Sequence, residues 1–401
     1  LKSKIVHIIN SLEFGGAEMM LANLLERTDR ERFDPVVVLL IADLTLADRI
    51  ERLGVPIRVV GMKPGIPDPR GLLALTRLLQ QERPQVIQTW MDHSNLIGGL
   101  AARLAVSAPV VWGIHHSNHV PGYTKRSTLW TVSACARLSA RVPSRIVCCS
   151  EHARANYEKL GFAASKMTVI PNGFDTAAYR PDPAARAAIR HEMGVEDETP
   201  LIGLVARFDP LKDHLNFLRA AGVVKARHPR ARFLLCGEGV DPSNEVLSSE
   251  IESLGLGGRC HLLGPRRDIP RIQASLDLLA SSSFSEAFPL AVGEAMSCGT
   301  PCVVTDVGDS ALMVGSTGRV VPARDSAALG NALSDLLDLP RRQLDELGVA
   351  ARRRTLDYFD LGTVTNRYED VYQSLLSQTD QSRPSELVGA GVASGRVTPS
   401  V

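Results

Sequence analysis

Short β-branched runs separated by segments of helical periodicity recur through almost the whole chain. This alternation constrains the fold more than any other feature. In the first half the runs are KIVHIIN (4–10), PVVVLLI (35–41), IRVV (57–60), QVIQTW (85–90), PVVWGI (109–114) and RIVCCS (145–150), with helical patterns near 16–27, 44–53, 70–82, 94–105 and 125–140. The second half repeats the scheme with LIGLVA (201–206), RFLLCG (232–237), RCHLLG (259–264), LDLLAS (276–281), CVVTD (302–306) and RVVP (319–322). Strands alternating with helices predict an α/β fold with parallel sheets. A single sheet of about a dozen strands would be exceptional, so the 401 residues predict two Rossmann-like domains. The turn-rich stretch from Pro171 to Pro183 marks the break between them. The expected division is residues 1–172, residues 173–360, a helix over 361–377, and a Ser/Gly/Pro-rich tail, 378–401, expected to be disordered.

Composition narrows the function. The chain is 44% hydrophobic and 22% charged with a net charge of +1, ordinary for a globular protein and too neutral for a typical nucleic-acid binder. The seven cysteines are odd in number and none form C-x-x-C, which predicts buried thiols in a reducing cytosol rather than disulfides or a zinc site. No D-x-D pair or His/Asp cluster stands near a strand end, so no metal site is expected. No signal peptide precedes Lys4-Ile5-Val6 and no apolar run reaches the ~18 residues of a membrane span, which predicts a cytoplasmic protein, possible membrane contact being peripheral.

One stretch, Ser281 to Asp306, carries the densest signal. Glu286 and Glu294 lie eight positions apart, and Ala287, Leu290, Ala291 and Ala295 recur around them at helical spacing. The segment reads as loop, helix, turn and strand, with Glu286 just before the helix and Glu294 about two turns along it. Eight residues at roughly 100° each fall about 80° from a whole number of turns, so the two carboxylates would reach different parts of an elongated ligand. The stretch Phe288-Pro289-Leu290 would set free backbone N–H groups at a helix N-terminus, where an anion or sugar hydroxyl can bind. Over some twenty-five residues, SEAFPLAVGEAMSCGTPCVVTDVGD closely resembles the E-x7-E signature of retaining glycosyltransferases with the GT-B fold, the family 4 or "group 1" set. That resemblance implies two Rossmann-like domains facing across a cleft, with the 361–376 helix crossing back to the first.

The rest of the chain supplies further candidates. Gly15 and Gly16 follow the first strand and open the first helix, where backbone can approach an anion closely. They lack the G-x-G-x-x-G pattern of a dehydrogenase and match the family loop that faces the donor phosphates. His115 and His116 end a strand, the edge at which open α/β sheets bind ligands. His115 matches the family's histidine near the donor sugar, with a one-residue slip to His116 left open. Arg207 and Lys212 follow the first strand of the second domain and could reach a diphosphate, Arg as a fixed fork and Lys as a mobile charge. Both match family positions, although a common variant has Lys-Gly where this chain has Lys212-Asp213. Gly264 lies in a loop resembling the one whose backbone meets the nucleobase. After Gly308 many relatives carry a second Gly and then a Glu, whereas this chain has Asp309-Ser310-Ala311-Leu312.

No Asp or Glu occurs from His93 to Ser150, a span that holds Arg103, Lys125, Arg126, Arg137, Arg141 and Arg145. It reads as a solvated basic face with a buried side, or as a surface for anionic lipid or a lipid-linked acceptor. The resemblance implies transfer of a sugar from a nucleotide-diphosphate sugar, UDP- or GDP-linked, to a glycan or lipid-linked acceptor, with no other cofactor. In it His115, Arg207, Lys212 and Glu286 are catalytic, and Gly15, Gly16, Gly264, Phe288, Pro289, Leu290 and Glu294 hold the donor. A sugar-nucleotide epimerase or phosphorylase on the same fold, and a non-catalytic sugar-nucleotide-binding protein, are the alternatives.

Overall fold

The computed structural model describes residues 2–13, 15–63, 68–116 and 124–381, of which residues 380 and 381 are described by backbone alone. Phe14, Ser117 and the expected tail from residue 382 onward lie outside the described residues. Among the described residues, thirteen strands form two wholly parallel sheets. The first holds β1 (Ser3–Ile9), β2 (Phe33–Leu39), β3 (Ile57–Val59), β4 (Val86–Trp90), β5 (Val110–Ile114), β6 (Arg145–Cys148) and β7 (Met167–Val169), in the order β3-β2-β1-β4-β5-β6-β7. The second holds β8 (Leu201–Val205), β9 (Arg232–Cys236), β10 (Cys260–Leu262), β11 (Leu278–Ser281), β12 (Cys302–Thr305) and β13 (Arg319–Val321), in the order β10-β9-β8-β11-β12-β13. All twelve expected runs are strands. The additional one, β7, is a half-buried edge of three residues, too short for a hydrophobic run to announce it.

In each sheet the order reverses beside the first strand, between β1 and β4 and between β8 and β11. Ligands of open α/β sheets bind at such switch points, beyond the carboxyl ends of the strands. The loops after β1, β5, β8 and β11 carry Gly15–Gly16, His115, Arg207–Lys212 and Glu286.

The chain passes between domains twice, and the two crossings touch. Phe174 N–H donates to Phe359 O at 2.9 Å and Leu361 N–H to Phe174 O at 2.9 Å, an isolated parallel bridge between outgoing and returning backbone. Phe174, Phe288 and Phe359 pack around it, with ring centroids 6.1 Å and 5.6 Å apart in successive pairs. Gly293 makes this possible, because a Cβ there would collide with the Phe174 ring. The returning helix, Leu361–Gln381, runs slightly longer than expected. Its Leu361, Val364, Tyr368, Tyr372 and Leu375 share one core with Ile5, Met20 and Leu24 of the first domain. Their i, i+3, i+4 spacing lines one helix face, and that face docks the crossover helix onto the first domain.

Candidate active site

The wall of the second domain is built from two loops tied to each other. After β8, the Asp209 carboxylate accepts from Leu211 N–H at 2.8 Å and closes a single turn, Pro210–Lys212. Asp213 then takes a left-handed conformation, φ 51°, and its carboxylate accepts from Asn216 N–H at 3.2 Å, capping the helix His214–Arg227. Glycine is the residue that adopts this φ most freely and aspartate tolerates it. Asp213 therefore fits where the resembling pattern can carry Gly, and adds a cap. The loop after β11 grips this turn: Ser282 Oγ donates to Lys212 O or Asp213 O, both at 2.9 Å, and Phe284 N–H donates to Leu211 O at 3.0 Å.

These ties bring Lys212 and Glu286 together. Lys212 Nζ lies 2.5 Å from Glu286 Oε1, which also accepts from Ser283 Oγ at 2.8 Å. With Ser281, Ser283, Pro289 and Leu290 they line a cavity at the switch point, floored by the end of β8. Arg207 stands at the rim, its side chain 57% exposed and paired with Asp209 at 3.3 Å. The structure thus separates the two expected cations, one inside the cavity and one at its mouth.

The helix begins only at Leu290 and ends at Ser297, so Glu294 sits little more than one turn in, not two. Pro289 is the N-cap, its backbone extended at ψ 107°, and a proline disfavours helical geometry in the residue before it, so the helix does not reach back to Glu286. Glu294 does not line the cavity. It is held beside Tyr179 and Gln273; burial pushes its carboxyl up to about 7, against the pull of those two hydrogen-bonding neighbours. Phe288 is spent on the aromatic cluster at the hinge. Gly264, φ 63°, donates its N–H to Val240 O at 2.7 Å and accepts from Gly237 N–H at 3.0 Å, so its own peptide groups are engaged within the loop.

The first-domain wall carries little charge at these positions. Gly15 is the N-cap of the helix Gly16–Arg27. A Cβ at Gly16 would lie 3.8 Å from Leu290 Cδ1, so the two walls come near contact here. A Cβ at Gly15 would collide with the Glu18 carboxylate, which folds back over the helix N-terminus. Burial raises the Glu18 carboxyl, opposed by its own N–H and by Arg207 across the cleft. His115 stacks on Trp90 with centroids 4.9 Å apart and planes at 22°. Among the described residues neither ring nitrogen makes a hydrogen bond of normal geometry, and burial lowers the imidazole to about 3, so the ring is neutral. His116 is exposed.

Sequence reasoning passed over Ser282, Ser283, Tyr179 and Gln273, and gave Glu18, two residues beyond the glycine pair, no role of its own. The serines lay inside the quoted motif, and Glu18 stood three residues after Gly15, the spacing of a helix-capping glutamate. Nothing local pointed to Tyr179 or Gln273, which reach Glu294 from distant segments.

Two family models match the chain in succession, one described as Glycosyltransferase Family 4 over residues 14–178 and one as Glycosyl transferases group 1 over residues 199–339. The UDP-Gal:alpha-D-GlcNAc-diphosphoundecaprenol alpha-1,3-galactosyltransferase of Escherichia coli is 26% identical over 313 residues, 77% of this chain and 80% of that enzyme. The D-inositol 3-phosphate glycosyltransferase of Nocardia farcinica is 31% identical over 261 residues, 63% of this chain and 55% of that one. Among solved structures, Anabaena HepE in complex with UDP matches with a TM-score of 0.81 at 24% identity, covering 92% of this chain and 100% of that chain.

Proposed function

The chain belongs to the glycosyltransferases of family 4 and group 1, with the GT-B fold, and we propose that it moves a hexose from a nucleotide-diphosphate sugar to an acceptor hydroxyl with retention at the anomeric carbon. The observation that carries this reading is the Lys212–Glu286–Ser283 constellation at the second-domain switch point. As the bond from the anomeric carbon to the phosphate oxygen breaks, negative charge grows on that oxygen. Lys212, with Arg207 at the rim, offsets it as fixed electrostatics, with no metal required. Glu286 takes hydroxyls of the donor sugar and Glu294 those of the ribose. His115, neutral and stacked, offers a ring nitrogen to the sugar from the opposite wall. The acceptor oxygen bonds to the anomeric carbon on the face the phosphate leaves, and its proton passes to the departing phosphate oxygen.

UDP is the favoured nucleotide, by analogy with the E. coli relative and the UDP complex of HepE. A screen of UDP- and GDP-sugars by thermal shift, followed by transfer in excess EDTA, tests the reading. A rise in melting temperature with one donor and turnover unaffected by EDTA are expected. No shift with any nucleotide sugar, or turnover lost in EDTA and restored by Mg²⁺, would overturn the corresponding part.

The acceptor we propose is lipid-linked, reached at an anionic membrane through the helix Arg126–Leu138. This helix turns Val132 and Cys135 inward and leaves Leu129 and Trp130 exposed, the latter at 68%, beside Lys125, Arg126 and Arg137. An exposed tryptophan among cations suits a lipid headgroup region. Each cation near such a surface is worth roughly 1 kcal/mol. Changing Lys125, Arg126, Arg137 and Arg141 together to Ser should weaken sedimentation with phosphatidylglycerol vesicles. Equal sedimentation of variant and parent would exclude this face.

A further inference from the structure

We propose that Asp309 is a positioning residue: it clasps the first domain, and so sets the spacing of the cleft walls and the seat of Glu286. The catalytic part of this proposal rests on the transferase reading above.

The first turn of any helix leaves four N–H groups without an intrahelical acceptor. In the first-domain helix Glu151–Lys159, Ser150 at the N-cap takes one, its Oγ accepting from Ala153 N–H at 2.9 Å. Asp309, from the second domain, takes two more. Its Oδ2 accepts from Glu151 N–H at 2.8 Å and its Oδ1 from His152 N–H at 2.9 Å. The carboxylate is also favourably placed on the positive end of the helix dipole. Asp309 is only 5% exposed. Withdrawing the helix would strand a buried carboxylate on one side and two orphaned donors on the other, each costly without a partner.

The other side of Asp309 rests on the site. Its N–H donates to Ala287 O at 3.1 Å. Gly308, φ 55°, lies so close that a Cβ would stand 2.5 Å from Glu286 O and 2.7 Å from Ala287 O. A shift of the clasp therefore moves the backbone that carries Glu286, whose carboxylate pairs with Lys212. Asp309 stands where the resembling pattern has a second glycine, which has no carboxylate to reach across.

Glu151→Pro tests the clasp without touching Asp309. Position 151 is the first residue of the helix, where proline's missing N–H and fixed φ are tolerated. Ser150 is already extended, φ −158° and ψ 155°, as a residue before proline prefers. Glu151→Ala removes the same side chain and keeps the N–H. In the full chain, Glu151→Pro and Asp309→Ala should speed hydrogen exchange at the amides of His152 and Ala153, and Glu151→Ala should not. UDP release from UDP-galactose should fall about tenfold in Asp309→Ala and about threefold in Glu151→Pro. UDP affinity should fall much less than turnover, since Lys212, Arg207 and Glu294, the charged groups read as its ligands, all lie in the second domain. The double variant should be no slower than Asp309→Ala alone. If Asp309→Ala fails to fold, Glu151→Pro against Glu151→Ala decides alone. Identical exchange and turnover in those two variants would overturn the proposal. A parent that releases no UDP from any UDP-sugar would count against the donor reading, and the exchange comparison would still decide the clasp.

Discussion

The two walls of the cleft are built on opposite principles. The second domain presents charge that is already organised: Lys212 and Glu286 in contact, held by serine hydroxyls and by a turn capped at both ends. The first domain presents a glycine pair and a neutral imidazole stacked on Trp90, with Glu18 as the carboxylate folded behind the glycines. One wall is suited to stabilising charge that develops in a reaction. The other leaves room and offers uncharged hydrogen-bonding groups, which suits hydroxyls of a sugar or an acceptor. Substitutions on the charged wall should therefore act on turnover, and those on the open wall on binding.

The largest expected effect is on the charged wall. Lys212→Ala should lower kcat by roughly 10²-fold, the scale for removing one preorganised donor, with a smaller loss in UDP affinity. Arg207→Ala should cost less, about tenfold, because its exposed side chain must leave Asp209 and cross the rim. Equal losses from both would show that the rim closes on the donor, and an unchanged kcat in Lys212→Ala would erase the contrast between the walls.

Glu286→Gln should separate the two duties of its carboxylate. Before a donor arrives, Glu286 supplies the negative partner of Lys212. Its amide leaves that cation uncompensated, so UDP should bind two- to fivefold more tightly, in line with the ~0.5–1 kcal/mol of a partly exposed ion pair. Turnover should fall about tenfold as the sugar hydroxyls lose their acceptor. Titration calorimetry with UDP on parent and variant checks this, and weaker binding by the variant would show that Lys212 does not receive the diphosphate.

The difference between the walls also governs how much could be read in advance. The alternating runs named twelve of the thirteen strands among the described residues, because buried parallel strands are written as continuous apolar runs. The cavity on the second domain, as a candidate site, was legible because Lys212, Ser283, Glu286, Pro289 and Leu290 come from two short segments, each with its own pattern. What escaped depends on partners far apart in sequence. Asp309 meets Glu151 across 158 positions, and Glu294 meets Tyr179 and Gln273 from other segments. The helix start was misplaced by the same logic: alanines at helical spacing do not reveal that Pro289 sets the first turn at Leu290.

Glu294 gives a pH signature smaller than these effects. With its carboxyl raised to about 7 from the usual 4.5, the charged form, the one proposed to accept from ribose, is half populated at neutral pH. UDP affinity in the parent should improve several-fold from pH 6 to 8. Glu294→Ala should raise donor KM several-fold more than it lowers kcat, and should lose that component of the pH dependence. Stability runs the other way. A carboxyl whose folded pKa lies above its unfolded value stabilises most below about 4.5, and that contribution is lost as pH rises through 7. Melting temperature should therefore fall less between pH 5 and 8 in Glu294→Gln than in the parent. Equal pH dependence of binding in parent and Glu294→Ala would remove the ribose from this residue.

The smallest effect should come from the glycines of the open wall, and it separates two reasons for their presence. A Cβ at Gly16 would meet only Leu290 Cδ1, at 3.8 Å, an ordinary contact. Gly16 is also the first helical residue, and alanine favours a helix over glycine by up to about 1 kcal/mol. Gly16→Ala should therefore melt at the parental temperature or slightly above, so any loss of donor affinity must come from the ligand's approach to the backbone. We expect a two- to threefold loss for UDP-galactose and none for uridine, which lacks the phosphates. At Gly15 a Cβ would strike the Glu18 carboxylate, a flexible group that can swing away. Gly15→Ala should thus move Glu18 off the helix N-terminus, and Gly15→Ala combined with Glu18→Gln should bind UDP no worse than Glu18→Gln alone. If Gly16→Ala binds UDP-galactose as the parent does while Gly15→Ala weakens it, the glycine pair serves Glu18 rather than the donor, and the open wall is a capped helix end instead of a phosphate seat.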